Sequence, residues 1–381
     1  MELRIPVQDL SRALTLMQGV VQRKNTMAIL ANVLIDVGTD DDGAGRVTIA
    51  ATDLDVGVRT TRPCEALESG TITVPARALA DMVKVLPGPD VTLKRLPNNH
   101  VEVKSGRTKA RLNALSPDEF PTLPTYDDVN FVKISASLFS EMVDKTVYAA
   151  STDETRYNLN GVLFDPSAGE GGDRNHLTMV STDGHRLVRV ERDFEDLSFP
   201  DEMGSVILPR KGLGEVRRLL DGDDDSDEME IGFHQNHAVV RRGNTVLGMR
   251  LIEGTFPDYK QVIPNMADKV VRISRADIVG ALRRVIVLAS DKTQPVKLSL
   301  KADSLEVSCS NPDTGEINDD VAVEYSGDEV DIAFNGRYLL EALNSLSDQN
   351  ILLKLIDHLS PGVVVGVDET QHLCVVMPMR L

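Results

Sequence analysis

The 381-residue chain contains no tryptophan, and aromatic residues make up only 4% of it. A platform that stacks single-stranded bases or sugars on aromatic faces is therefore excluded. Cysteine is also scarce. Cys64, Cys309 and Cys374 are odd in number, far apart and outside any CxxC spacing, so neither a disulfide framework nor a zinc site is expected. Long apolar runs are missing: VIVLA at 285–289 is among the longest and falls far short of a membrane span. No charged segment leads into an apolar stretch at the start, so the reading is a cytoplasmic protein, neither exported nor membrane-inserted. Phosphate-cradling GxxxxGK[ST], GxGxxG opening a helix after a strand, and GxSxG are all absent, which removes the usual anchors for nucleotide or hydrolase chemistry.

What is present is enough apolar material, 41% of residues and evenly spread, to order two or three domains. The net charge of −18 argues on its face against a nucleic-acid partner. Its distribution argues otherwise. LDGDDDSDEMEIGF at 220–233 holds seven acidic residues and no basic one, whereas PRKGLGEVRRLL just before it holds Arg210, Lys211, Arg217 and Arg218 against Glu215 alone. RISRADIVGALRR at 272–284 repeats the bias, so basic charge concentrates in helical segments and acid in loops.

Internal repeats set the organisation. TITVPARALADMVKVL (71–86), SVILPRKGLGEVRRLL (205–220) and VDIAFNGRYLLEALNSL (330–346) each carry an amphipathic helix, in the first case with Leu79, Met82, Val83 and Leu86 on one face and Pro75 in the first turn. VTIAATDLDVGVR (47–59) resembles LTMVSTDGHRLVR (177–189), and LEVSCSNPDTGE (305–316) takes the corresponding place. Both features give a period of roughly 130 residues, the size of a domain. Within each repeat a first helix (9–21, 137–150, 274–289, the last with Ser274 as N-cap) precedes alternating strands, a second helix and more strands. HVEVKSGRTKARLNAL (100–115) and HAVVRRGNTVLGMRL (237–251) read as hairpins with Gly-containing turns. The proline-bearing stretches 118–128 and 254–264 read as linkers. The expectation is an α+β protein of three equivalent tandem domains, 1–127, 128–257 and 258–381, each with two helices on antiparallel sheets.

Candidate chemistry is thin. His234 and His237 lack a third ligand nearby, so no metal is expected. STDGHR at 181–186 places its Ser, Asp and His too close in sequence to converge as a triad. Thr52-Asp53 repeats the same TD without the histidine, which points to an Asp turn bonded to its own backbone.

Three tandem domains, TRYNLNGVLF (155–164), STDGHRL (181–187), FPDYKQVIP (256–264) and the closing VVMPMRL (375–381) together resemble the bacterial DNA polymerase III β-subunit family, the sliding clamps, over the full chain and in order. The resemblance implies a head-to-tail homodimeric ring around duplex DNA, with helices inside and sheets outside. It implies a non-catalytic processivity role without cofactor. By position it assigns Lys24, Tyr157, Arg210, Lys211, Arg217, Arg218 and Arg275 to the DNA side, and it places Ala110, Leu112, Val287 and Leu288 at subunit contacts.

The resemblance further implies an apolar groove between the second and third domains, where the replicative polymerase subunit, the ATP-driven clamp loader, other polymerases and repair proteins insert a short motif. The matching positions are Arg156, Leu159, Thr182, Gly184, His185, Arg186, Leu187, Pro257, Val262, Asn335, Tyr338 and Leu359, together with the tail Val375, Val376, Met377, Pro378, Met379, Arg380 and Leu381. Pro378 donates no ladder bond, so the tail is expected to leave its strand there and present Met377 and Met379, adaptable apolar groups suited to varied peptides. The alternative is that the heptapeptide plugs the core, Val375 and Val376 foremost. Gln261 departs from the resemblance, standing where it implies a basic residue. Two other functions are weighed against the clamp: a metal-dependent DNA-processing enzyme, which needs converging carboxylates, and a clamp paralogue dedicated to one partner.

Overall fold

The computed structural model describes residues 1–21, 27–166, 175–194, 199, 203–222, 226–264, 267–289 and 294–380. Six α-helices stand among them, two for each predicted domain: α1 (Val7–Met17), α2 (Ala76–Val83), α3 (Ala136–Thr146), α4 (Arg210–Leu220), α5 (Arg275–Val285) and α6 (Gly336–Ser345). All β-pairings between named strands are antiparallel.

By internal contacts the chain forms two compact units, residues 1–137 with 211–251, and residues 138–210 with 252–381. In the first unit a five-stranded sheet ends on the strand Thr108–Asn113. A second sheet, of eight strands, is continuous because Val56–Pro63 pairs with Thr245–Arg250. Helices α1 and α2 pack together, burying Leu10, Leu14, Met17, Leu79 and Val83. The amphipathic helix predicted through Leu86 stops early: α2 ends at Val83, and Pro87 disfavours helical backbone at Leu86. Pro75 caps α2 from outside as the last residue of the strand Gly70–Pro75, one position earlier than expected.

The second unit holds one thirteen-stranded sheet. Arg186–Asp193 pairs with His372–Val376, in the register Arg186 to Val376 and Leu187 to Val375. Both predicted hairpins form, with Gly106 at φ +56° and Gly243 at φ +52° in their turns, the left-handed backbone that glycine adopts without steric cost. The two proline-bearing linkers are packed rather than loose: Phe120, Tyr126, Phe256 and Tyr259 are all buried. No helix among the described residues is long and apolar enough to cross a membrane.

Candidate functional site

The TD segments turn out to be one structure built twice. Asp53 Oδ1 accepts from the backbone N–H of Asp55 at 3.0 Å and of Val56 at 2.7 Å, while Thr52 Oγ1 donates to Val56 O at 3.0 Å. Asp183 Oδ1 accepts from the N–H of His185 at 2.9 Å and of Arg186 at 3.1 Å, and Thr182 Oγ1 donates to Arg186 O at 2.6 Å. The third residue of each turn is left-handed, Leu54 at φ +83° and Gly184 at φ +86°. Asp183 is thus a backbone-bonded turn former, as the repeat predicts, and no triad arises from it. His234 and His237 face each other across the hairpin turn, and no group of three metal-ligating side chains occurs among the described residues.

In the second unit this turn leads into a buried apolar cluster. Leu159, Leu187, Phe256, Tyr259 and Val375 belong to one buried cluster, against which the half-buried Val262 packs. The tail then does two things in sequence. Val375 and Val376 are 1% exposed and lie in the ladder with Arg186–Asp193, so these two residues serve the core. Beyond them Met377 donates its N–H to His185 O at 2.9 Å, and Pro378 and Met379 cross to pair with Phe334 and Ala333 of the strand Val330–Asn335. The tail leaves its strand at Pro378, where the ring nitrogen has no proton to donate. Met377, Pro378 and Met379 stay half-buried, Arg380 is exposed, and Leu381 lies outside the described residues.

Arg186 is the pin of this region. It is 8% exposed, and its guanidinium donates to Asp183 Oδ2 at 3.1 Å, to Tyr148 O at 2.7 Å and to the Glu341 carboxylate, while lying 4.5 Å over the Tyr338 ring. Burial alone raises the Glu341 carboxyl, but hydrogen bonds from Arg186 and Arg337 outweigh it and hold the group below the usual range. Burial pushes the Tyr338 phenol up. His185 stacks on Tyr338 with ring centroids 6.4 Å apart. Asn335 caps α6, its side-chain oxygen accepting from the N–H of Arg337 at 2.9 Å and of Tyr338 at 3.3 Å, which fixes where the Tyr338 ring starts. Arg156 donates to Asp183 O at 2.8 Å, and Gly184 leaves it room: a Cβ there would come within 2.7 Å of Arg156 Nη1. Pro257 is exposed, Leu359 is 68% exposed, and Gln261 donates to Asp258 at 2.9 Å.

Sequence reasoning missed Tyr148 and Glu341, which act through contacts between distant segments. The only hint was Glu341 lying four residues after Arg337 on one helix. Among the proposed DNA-side residues, Lys24 lies outside the described residues. Lys211 is paired with the Asp53 carboxylate, Arg218 with Glu215 at 3.0 Å, and Arg275 donates to Asp348 O at 2.7 Å. Tyr157, Arg210 and Arg217 are exposed. Ala110 and Leu112 are half-buried on the edge strand Thr108–Asn113, Val287 is 77% exposed, and Leu288 is half-buried beside it.

Three copies of a two-helix unit, with sheets running through both junctions, define a DNA clamp fold. The family descriptions of the DNA polymerase III beta subunit match throughout: its N-terminal domain over residues 1–124, its central domain over 133–258 and its C-terminal domain over 260–380. The beta sliding clamp of Pseudomonas aeruginosa is 34% identical over 382 residues and that of Escherichia coli 31% over 383, each covering 100% of both chains. A crystal structure of the Bartonella birtlesii sliding clamp bound to griselimycin matches with TM-score 0.92 at 34% identity, again covering 100% of both chains. The chain belongs to the DNA polymerase III beta subunit family. It is a sliding clamp, a non-catalytic processivity factor of DNA replication.

Proposed function

We propose that two copies of this chain close head to tail around duplex DNA in the cytoplasm, and that each copy captures partners through the apolar surface between strand Arg186–Asp193 and helix α6. The partners are the replicative polymerase subunit, the ATP-driven clamp loader, and further polymerases and repair proteins carrying a short apolar motif. No metal or cofactor enters this reading, and domain limits of 1–127, 128–257 and 258–381 accompany it. The cationic helical segments within a chain of net charge −18, with Arg210 and Arg217 exposed, support contact with the DNA phosphates. The edge strand Thr108–Asn113, paired on one side only, supports pairing with a second copy.

The observation that carries the groove reading is the course of the tail. Val375 and Val376 complete the core, while Met377 to Met379 lie half-buried across two strands and form an adaptable wall. A peptide burying two leucine- or phenylalanine-sized anchors gains about 3–6 kcal/mol, and with ordering costs and polar contacts its affinity falls near micromolar. Removing residues 377–381 tests this. Titration with a peptide bearing leucine and phenylalanine anchors should weaken about a hundredfold, roughly 3 kcal/mol, while the melting curve holds. Unchanged binding would reject the groove.

A further inference from the structure

The duplicated turn has a duplicated setting. After residues 52–56 the strand Val56–Pro63 pairs with Thr245–Arg250 of the next domain, as Arg186–Asp193 pairs with His372–Val376 after residues 182–186. Each strand pair is covered by a related linker, FPTLPTY at 120–126 and FPDYKQV at 256–262. Aligned on the turns, Gly57 corresponds to Leu187; aligned on the linkers' shared Phe-Pro, Leu123 corresponds to Tyr259. Tyr126 corresponds to Val262.

The two junctions differ at the floor. Leu187 pairs with Val375 in the second, whereas in the first the registered pair is Gly57 with Gly248, two residues without side chains directly opposite each other. The linker fills that space. A Cβ on Gly248 would come 2.0 Å from Tyr126 Oη, and one on Gly57 would come 3.2 Å from Leu123 Cδ2. Tyr126 is 8% exposed, packs with Val129, Val239 and Val246, and has its carbonyl held by Arg241 at 3.1 Å. A cleft of about 150 Å3 remains beside it, below the roughly 300–1,000 Å3 of ligand sites.

We propose that the junction of the first and central domains is a second, homologous peptide groove, occupied in cis by Leu123 and Tyr126 of the chain's own linker, so that each chain presents one open groove and one filled one. The proposal rests on the groove reading above for the meaning of the open site. A tethered occupant acts at an effective concentration of about millimolar, enough to exclude a micromolar ligand supplied in trans.

The test uses the full chain with Leu123→Ala and Tyr126→Ala, titrated calorimetrically with a synthetic peptide of residues 118–128. The variant should gain one site per chain, at least tenfold tighter than anything the unaltered chain shows there, and keep it when residues 377–381 are also removed. A folded variant with no added site overturns the proposal. Failure of the open-groove reading is separate, because it appears as intact partner-peptide binding after tail removal alone. Should the double variant not fold, Gly248→Ala supplies the second arm. Its methyl competes directly with the Tyr126 ring, and with no tryptophan in the chain the tyrosine absorbance is readable. Tyr126 should become titratable as an exposed phenol, while the peptide of residues 118–128, whose own tyrosine meets the same methyl, adds no site; a still-buried phenol contradicts the proposal.

Discussion

Arg186 of a central-domain strand and Glu341 of helix α6 in the C-terminal domain meet as a guanidinium–carboxylate pair, with the arginine side chain 9% exposed and the glutamate 28%. A buried charge that loses one partner keeps its desolvation cost without the compensating attraction. Asp183 continues to hold Arg186 in a Glu341→Ala variant, so the loss should be about 2 kcal/mol, below the 3–5 of an unsupported buried charge. Urea denaturation measures it. Peptide affinity should fall as well, since Arg186 also fixes Tyr338. A change under about 0.5 kcal/mol, the level of an ordinary surface position, would show that the pair does not hold the two domains' elements together.

His372 gives a pH prediction. It is fully buried, its Nδ1 lacks a hydrogen-bond partner among the described residues, and burial pushes its pKa down from 6.5 to about 4. Between these values the unfolded chain binds the proton and the folded chain does not, so stability must fall as pH drops from 6.5 toward 4. The full effect is about 3 kcal/mol. Melts between pH 7 and 4.5 should show this slope in the natural chain and a shallower one in His372→Gln. Equal slopes would reject the assignment.

The proposed subunit contact predicts a mass. Light scattering at micromolar concentration should give twice the 41.7 kDa chain. Val287→Glu places a charge on an apolar group that is 77% exposed in the single chain, so it should leave the circular dichroism intact and shift the mass toward one chain. A Val287→Glu protein that remains fully dimeric would move the interface elsewhere.

The sequence discloses the fold where a local rule is strong. The turn residues Thr52-Asp53 and Thr182-Asp183 reveal the repeat because the aspartate bonds the backbone N–H groups just after it, a local contact that needs nothing from the rest of the fold. The departure of the tail at Pro378 follows from proline's missing N–H alone. What escapes is whatever depends on register between distant strands. Nothing local announces that Gly57 stands opposite Gly248, or that Arg186 reaches Glu341 across 155 residues of chain. The cationic side chains are partly legible in the same sense. Their clustering on α4 can be read directly, but the capture of Lys211 by Asp53 requires the fold.

The proposed ring is held on DNA by topology rather than by affinity. Protein loaded onto a nicked circular duplex by the proposed clamp loader should stay bound through a wash in moderate salt, and cutting the circle once with a restriction nuclease should release it from the free ends within minutes. Retention unchanged after linearisation would mean that direct contacts hold the DNA, and would contradict the ring.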